Sequence, residues 1–139
     1  MCNNNADECK CLAEILTIIN ILQQNAECGD ACLDTCDRGF LGCSATSVSC
    51  NTRPVMLYTC GSNGVAFSMP ISKDPTETVT SNVFRVEKID GCCATFRVLA
   101  PNTDTTEPYP FEATNSFFTM NLNCVCALRC LQDTHVDCI

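Results

Sequence analysis

The hydrophobic pattern of this chain changes period once. Leu12, Ile15, Leu16, Ile19 and Leu22 recur at the spacing that lays a single apolar stripe along a helix, which predicts a helix over 7–28. Ile18 and Ile21 widen that stripe. With Cys9 and Cys11 the apolar arc reaches about 240°, where a helix on one core needs only ~100–140°. Lys10, Thr17, Asn20 and Gln24 form the narrow polar strip that remains. A helix apolar on two sides has a second surface to cover, so Ile18, Ile21 and Leu22 are candidates to meet another subunit. Deep burial in one core is the alternative.

The stretch CGDACLDTCDRGFLGC, rich in Gly, Asp and Cys, predicts an irregular segment over 29–50. From there the period is two. Val55–Thr59 and Val65–Met69 read as strands joined through Ser62-Asn63-Gly64, where Asn-Gly suits a type I′ hairpin turn. After the polar loop ISKDPTETVTSN, the runs NVFRVEKI and CCATFRVLA flank Asp90-Gly91, a second hairpin signal. The proline-containing PNTDTTEPYP reads as a loop. In FFTMNLNCVCALRC, Phe118, Met120, Leu122, Cys124, Cys126, Leu128 and Cys130 share one parity. An unbroken strand would put Cys124, Cys126 and Cys130 on its apolar face, buried or in internal disulfides. The predicted fold is mainly β, of α+β type: an N-terminal helix followed by an antiparallel, sandwich-like β domain. It forms a single domain over 1–139, with a leader (1–6), a β region (51–133) and a tail (134–139).

Composition sharpens the question. Cysteine is 15 of 139 residues, about 11%, above the ~8–10% that marks disulfide scaffolds in short chains. Those scaffolds use disulfides because their cores are small, whereas this chain is long enough for a core without them. Its cysteines therefore serve something beyond holding a monomer together. Their odd number leaves at least one for a neighbour or free. The start, MCNNNADECKC, lacks the positive region of a secretory signal, and the eight-residue run ILTIINIL is too short to span a bilayer. The expectation is synthesis in a reducing cytosol, without signal peptide or membrane insertion. A net charge of −8 argues against nucleic acid and anionic membranes as partners.

Among the chemistries open to clustered thiols, a metal site lacks its usual C-x₂-C turn. Cys28, Cys32 and Cys36, spaced C-x₃-C-x₃-C, are the ligands of the alternative reading, a zinc-thiolate binding module. Catalysis has less support: one histidine, His135, and no C-x-x-C motif, Gly-rich phosphate loop or paired carboxylates. Neither an enzyme nor a cofactor is expected. Cross-linking fits the pattern better. Cysteines occur in the leader and helix start (Cys2, Cys9, Cys11), the irregular segment (Cys28, Cys32, Cys36, Cys43, Cys50), a turn (Cys60), a hairpin (Cys92, Cys93) and the tail (Cys138). These twelve are the candidates for inter-subunit disulfides. Cys92 and Cys93, adjacent in an extended segment, would point to opposite faces and so need different partners.

SVSCNTRPVMLYT (47–59), NVFRVEKIDGCCATFRVLA (82–100) and FFTMNLNCVCALRCLQD (117–133) resemble the CotY/CotZ/ExsY family of cysteine-rich spore coat and exosporium proteins. NTRP followed by LYT, the pair FRVE and CCATFRVL, and the closing LNCVCALRCL carry the resemblance, with the helix and GFLG (39–42) in the same order. Extra cysteines, such as Cys92 beside Cys93, and the leader depart from it. The resemblance implies a structural subunit that assembles with itself into hexamers tiled as two-dimensional sheets, and that recruits other spore-surface proteins. It also implies synthesis in the mother-cell cytoplasm and deposition on the spore surface, in coat, crust or exosporium. Assembly would come first, with disulfides then locking contacts already made, because bridging needs Cα atoms within about 7 Å.

Overall fold

The computed structural model describes residues 9–24, 50–106, 108–137 and 139. One helix, α1 (Lys10–Gln24), precedes β1 (Val55–Thr59), β2 (Met69–Pro70), β3 (Thr80–Ser81), β4 (Val83–Asp90), β5 (Cys93–Pro101), β6 (Phe111–Asn121) and β7 (Val125–Cys130). The mainly β architecture with an N-terminal helix is as the sequence predicts. The sheet is antiparallel, in the order β6-β5-β4-β1-β7, with β2 and β3 forming a separate two-stranded ribbon.

The two edge strands, β6 and β7, are consecutive in sequence and joined only by a 3₁₀ turn at Leu122–Cys124. Such a turn advances ~2 Å per residue, so it covers about 8 Å between Asn121 and Val125. In a flat sheet four strand spacings would hold the edges ~19 Å apart. The sheet therefore curls until its edges meet at this turn. Leu122 N–H donates to the Cys92 carbonyl (2.8 Å) and Cys60 N–H to the Cys124 carbonyl (3.1 Å), which fixes the turn to both sides of the closure.

Alternation along β1, β4, β5 and β6 sends Val55, Leu57, Phe84, Val86, Ala94, Phe96, Val98 and Met120 to one buried face. Phe84, Phe96 and Phe118 form its centre, with Phe118 edge-on to Phe84 at 4.8 Å and stacked on Phe96 at 5.3 Å. α1 contributes Leu16 and Ile19 to the same core. A β-bulge between Val86 and Lys88 reverses the parity of β4, which is why Ile89 packs against this core. Near the other end, Gln23 joins helix to sheet. Its amide donates to the Val86 carbonyl (2.9 Å) and accepts from Arg53 N–H (3.0 Å).

A second, smaller cluster of Val83, Leu99 and Val136 lies under the C-terminal segment. That segment folds back along residues 51–54. Asn51 accepts from Val136 N–H and donates to the Val136 carbonyl, and Arg53 forms a buried pair with Asp133.

Two expectations are corrected. Residues 65–68 form no strand, and β1 pairs with β4 and β7. Asn63 and Gly64 do take the positive φ of a type I′ turn (56° and 82°), closed by Val65 N–H to the Ser62 carbonyl. The segments still touch once, where Phe67 N–H donates to the Leu57 carbonyl (2.8 Å), while β4 pairs with β1 only at Val55. The second correction concerns FFTMNLNCVCALRC, which is two strands broken at the 3₁₀ turn. Val125 rather than Cys124 is buried after it, and Cys126 is exposed.

A candidate cross-linking site at one end of the sheet

Nine cysteines lie among the described residues, and strand order together with closure of the sheet at the 3₁₀ turn decides where they go. β4 and β6 end and β5 begins at one end of the sheet, whereas β1, antiparallel to β4, runs the other way and ends beside the start of β7. That places Cys92 and Cys93 at the β4–β5 end, and the 3₁₀ turn after β6, with Leu122 N–H on the Cys92 carbonyl and Cys60 N–H on the Cys124 carbonyl, brings Cys124, Cys126 and Cys60 beside them. α1 runs from this end toward Gln23 beside Arg53 at the other, so Cys9 and Cys11 join them. Cys130, at the end of β7, sits level with Val55, away from this group. Cysteines spread over more than a hundred positions of sequence thus form one thiol-rich pole. Nothing in their spacing announced this, because it depends on how the sheet closes at the 3₁₀ turn.

At this pole Cys9 is bonded to Cys92, with Cα atoms 5.8 Å apart, and Cys60 to Cys126, at 5.1 Å. Cys9, Cys60 and Cys92, expected between subunits, are therefore bonded within the chain. The cause is the fold: helix start against β4–β5 turn, and β1 end against β7 start, lie within the ~7 Å that a disulfide requires. Cys124 and Cys130 are disulfide-bonded as well.

Two thiols at the pole are free and exposed, Cys11 and Cys93. Cys93 begins β5 and shares a face with Thr95 and Arg97, opposite the core-facing Ala94 and Phe96. Cys92 lies within the β4–β5 turn, whose closing pair is Asp90 and Cys93 and whose first central residue, Gly91, has φ 58°. The turn is thus centred one residue later than Asp90-Gly91. An open groove of about 700 Å³ runs beside it, lined by Cys9, Cys92, Ile89, Gly91 and the α1 residues Lys10, Ala13, Glu14, Thr17 and Ile18.

Of the helix interface candidates, Ile18 and Ile21 are exposed (38% and 51%) and Leu22 is half-buried. Cys2, Cys28, Cys32, Cys36, Cys43 and Cys138 lie outside the described residues, and with them the alternative metal ligands. Among the described residues no group of three or more His, Cys, Asp or Glu side chains is placed to hold a metal ion. His135 faces Asp137 at 2.8 Å and packs at a tilt against Tyr109, ring centres 4.9 Å apart. No helix among the described residues is long and apolar enough to cross a membrane.

The profile of the spore coat protein Z family matches residues 1–110, most of the chain, and the chain belongs to that family. No curated protein and no solved structure matches it. Membership gives the chain a structural role at the spore surface.

Proposed function

We propose that this chain is the repeating subunit of a two-dimensional, hexagonal sheet on the spore surface, in which non-covalent contacts set the geometry and inter-subunit disulfides lock it. The observation that carries this reading is the pole itself, where two exposed free thiols stand beside a helix with isoleucines in solvent. Leu16 and Ile19 already satisfy the core side of α1, so Ile18 and Ile21 are surplus to the fold. Burying an isoleucine contributes about 1.5–3 kcal/mol, and a closed ring repeats that gain at every contact. Cys11 and Cys93 then supply the thiols for bridges between subunits, while Cys60–Cys126 braces each subunit at the surface where contacts form. Other spore-surface proteins would dock on the finished sheet. The test is negative-stain electron microscopy of the chain expressed alone in a reducing cytosol. Ordered sheets support the reading; dispersed single subunits at high concentration refute it.

A further inference from the structure

Both free, exposed cysteines among the described residues lie within two positions of a member of the same disulfide: Cys11 follows Cys9, and Cys93 follows Cys92. The two partners of that disulfide differ in access. Cys9 is 2% exposed, whereas Cys92 is half-buried, and both line the open groove beside α1. A sulfur in an open groove can be reached by a thiolate from outside the chain, and attack on a disulfide needs such access.

We infer that Cys9–Cys92 is an exchangeable disulfide, opened by Cys93 of a second copy to give a Cys92–Cys93 bond between the two chains. This deepens the cross-linking reading above and rests on it. The incoming Cys93 thiol loses its proton and its thiolate attacks Sγ of Cys92. The Cys92–Cys93 bond forms, the Cys9–Cys92 bond breaks, and Cys9 leaves as a thiolate that takes up a proton. One disulfide and one thiol enter, and one disulfide and one thiol leave, so no oxidant is consumed.

Two features favour this pair. Cys92 and Cys93 are neighbours at a hairpin turn, so a two-fold contact at that turn brings each copy's Cys93 to the other's Cys92; adjacent residues are the simplest reciprocal pair in an isologous contact. The released Cys9 remains in the core beside Leu16 and Ile19, where a neutral thiol is a small apolar group at home in its surroundings. The Cys60–Cys126 bond has no free exposed cysteine this near to either partner among the described residues. A subunit that arrives with Cys9–Cys92 closed thus carries the bond by which it is later joined to its neighbour.

The test uses the full chain with Cys9–Cys92 formed, held without oxygen or added oxidant, and followed by non-reducing gels, thiol titration and peptide mapping. The inference predicts a Cys92–Cys93 linked peptide between chains, one Cys9 per cross-link newly alkylated once the chain is denatured, and an unchanged thiol count. Cys93→Ser abolishes that species, and Cys11→Ser leaves it. Two results overturn the inference: no cross-link under these conditions, or a cross-link with Cys9–Cys92 intact. The wider reading fails separately, if no inter-chain disulfide appears after oxygen is admitted.

Discussion

Arg53 and Asp133, eighty positions apart, form a two-pronged ion pair with both side chains buried: Nε to Oδ1 is 2.7 Å and the second nitrogen to Oδ2 is 2.9 Å. The pair fastens the C-terminal segment to the strand-like stretch before β1, and Gln23 accepts the Arg53 backbone N–H from the helix side. Three separated parts of the chain therefore meet at one arginine, at the end of the sheet opposite the thiol pole.

Asp133→Ala leaves a buried guanidinium without its counter-charge. Removing one partner of such a pair typically costs about 3–5 kcal/mol. The expected result is a denaturation midpoint lowered to match, measured under non-reducing conditions. The double variant Arg53→Met/Asp133→Leu recovers much of that loss, because it removes both charges together. A loss under ~1 kcal/mol for Asp133→Ala would show that the pair does not fasten the segment.

Gln23→Leu keeps the volume of the side chain but abandons two backbone groups, the Val86 carbonyl and Arg53 N–H. Each buried group left unpaired costs about 1–3 kcal/mol. Hydrogen exchange in α1 should accelerate more than in β5, since helix docking is what the substitution loosens.

Phe84→Ala opens a cavity beneath the aromatic centre formed with Phe96 and Phe118. A loss of about 3–5 kcal/mol is expected by chemical denaturation, with the disulfides intact.

Two exposed loops carry a pH signature. Thr76 N–H and then its hydroxyl hold the Asp74 carboxyl below the usual carboxylate range, and the Thr106 hydroxyl and then its N–H do the same for Asp104. Both folded-state values are depressed, so what these contacts contribute is present above the unfolded value of ~3.9 and lost as pH falls through the folded values. Carboxyl NMR titration should give midpoints below that value for both, and Thr106→Val should move Asp104 back toward it.

The sequence made some of this legible, and the reason lies in range. Helix period and strand alternation are local, so α1, β4, β5 and the hairpin between them follow from apolar spacing and a glycine. The over-wide stripe on α1 left two readings open for Ile18, Ile21 and Leu22, and in the folded chain the first two are exposed and Leu22 half-buried. The 3₁₀ turn at Leu122–Cys124 was not visible, because Leu122, Cys124 and Cys126 continue the parity of the strand before it. What breaks the strand is closure of the sheet, held by Cys92 and Cys60 from distant parts of the chain. Cys9, Cys60 and Cys92 read as surface thiols for the same reason. Only strand order shows that each has an intrachain partner within reach.

Ile21→Glu adds charge to a side chain that is half in solvent, so folding stability should move by no more than ~0.5 kcal/mol. Assembly should be lost if α1 carries the contact. Normal unfolding with no sheets in the microscope is the expected outcome.

The most direct measurement compares sheets of the wild-type chain with sheets of Cys11→Ser/Cys93→Ser, by electron microscopy before and after boiling in detergent. The account predicts the same lattice spacing in both before treatment, and survival of the wild type alone afterwards. A double variant that forms no lattice at all would contradict it, because disulfides would then be building the sheet instead of locking it.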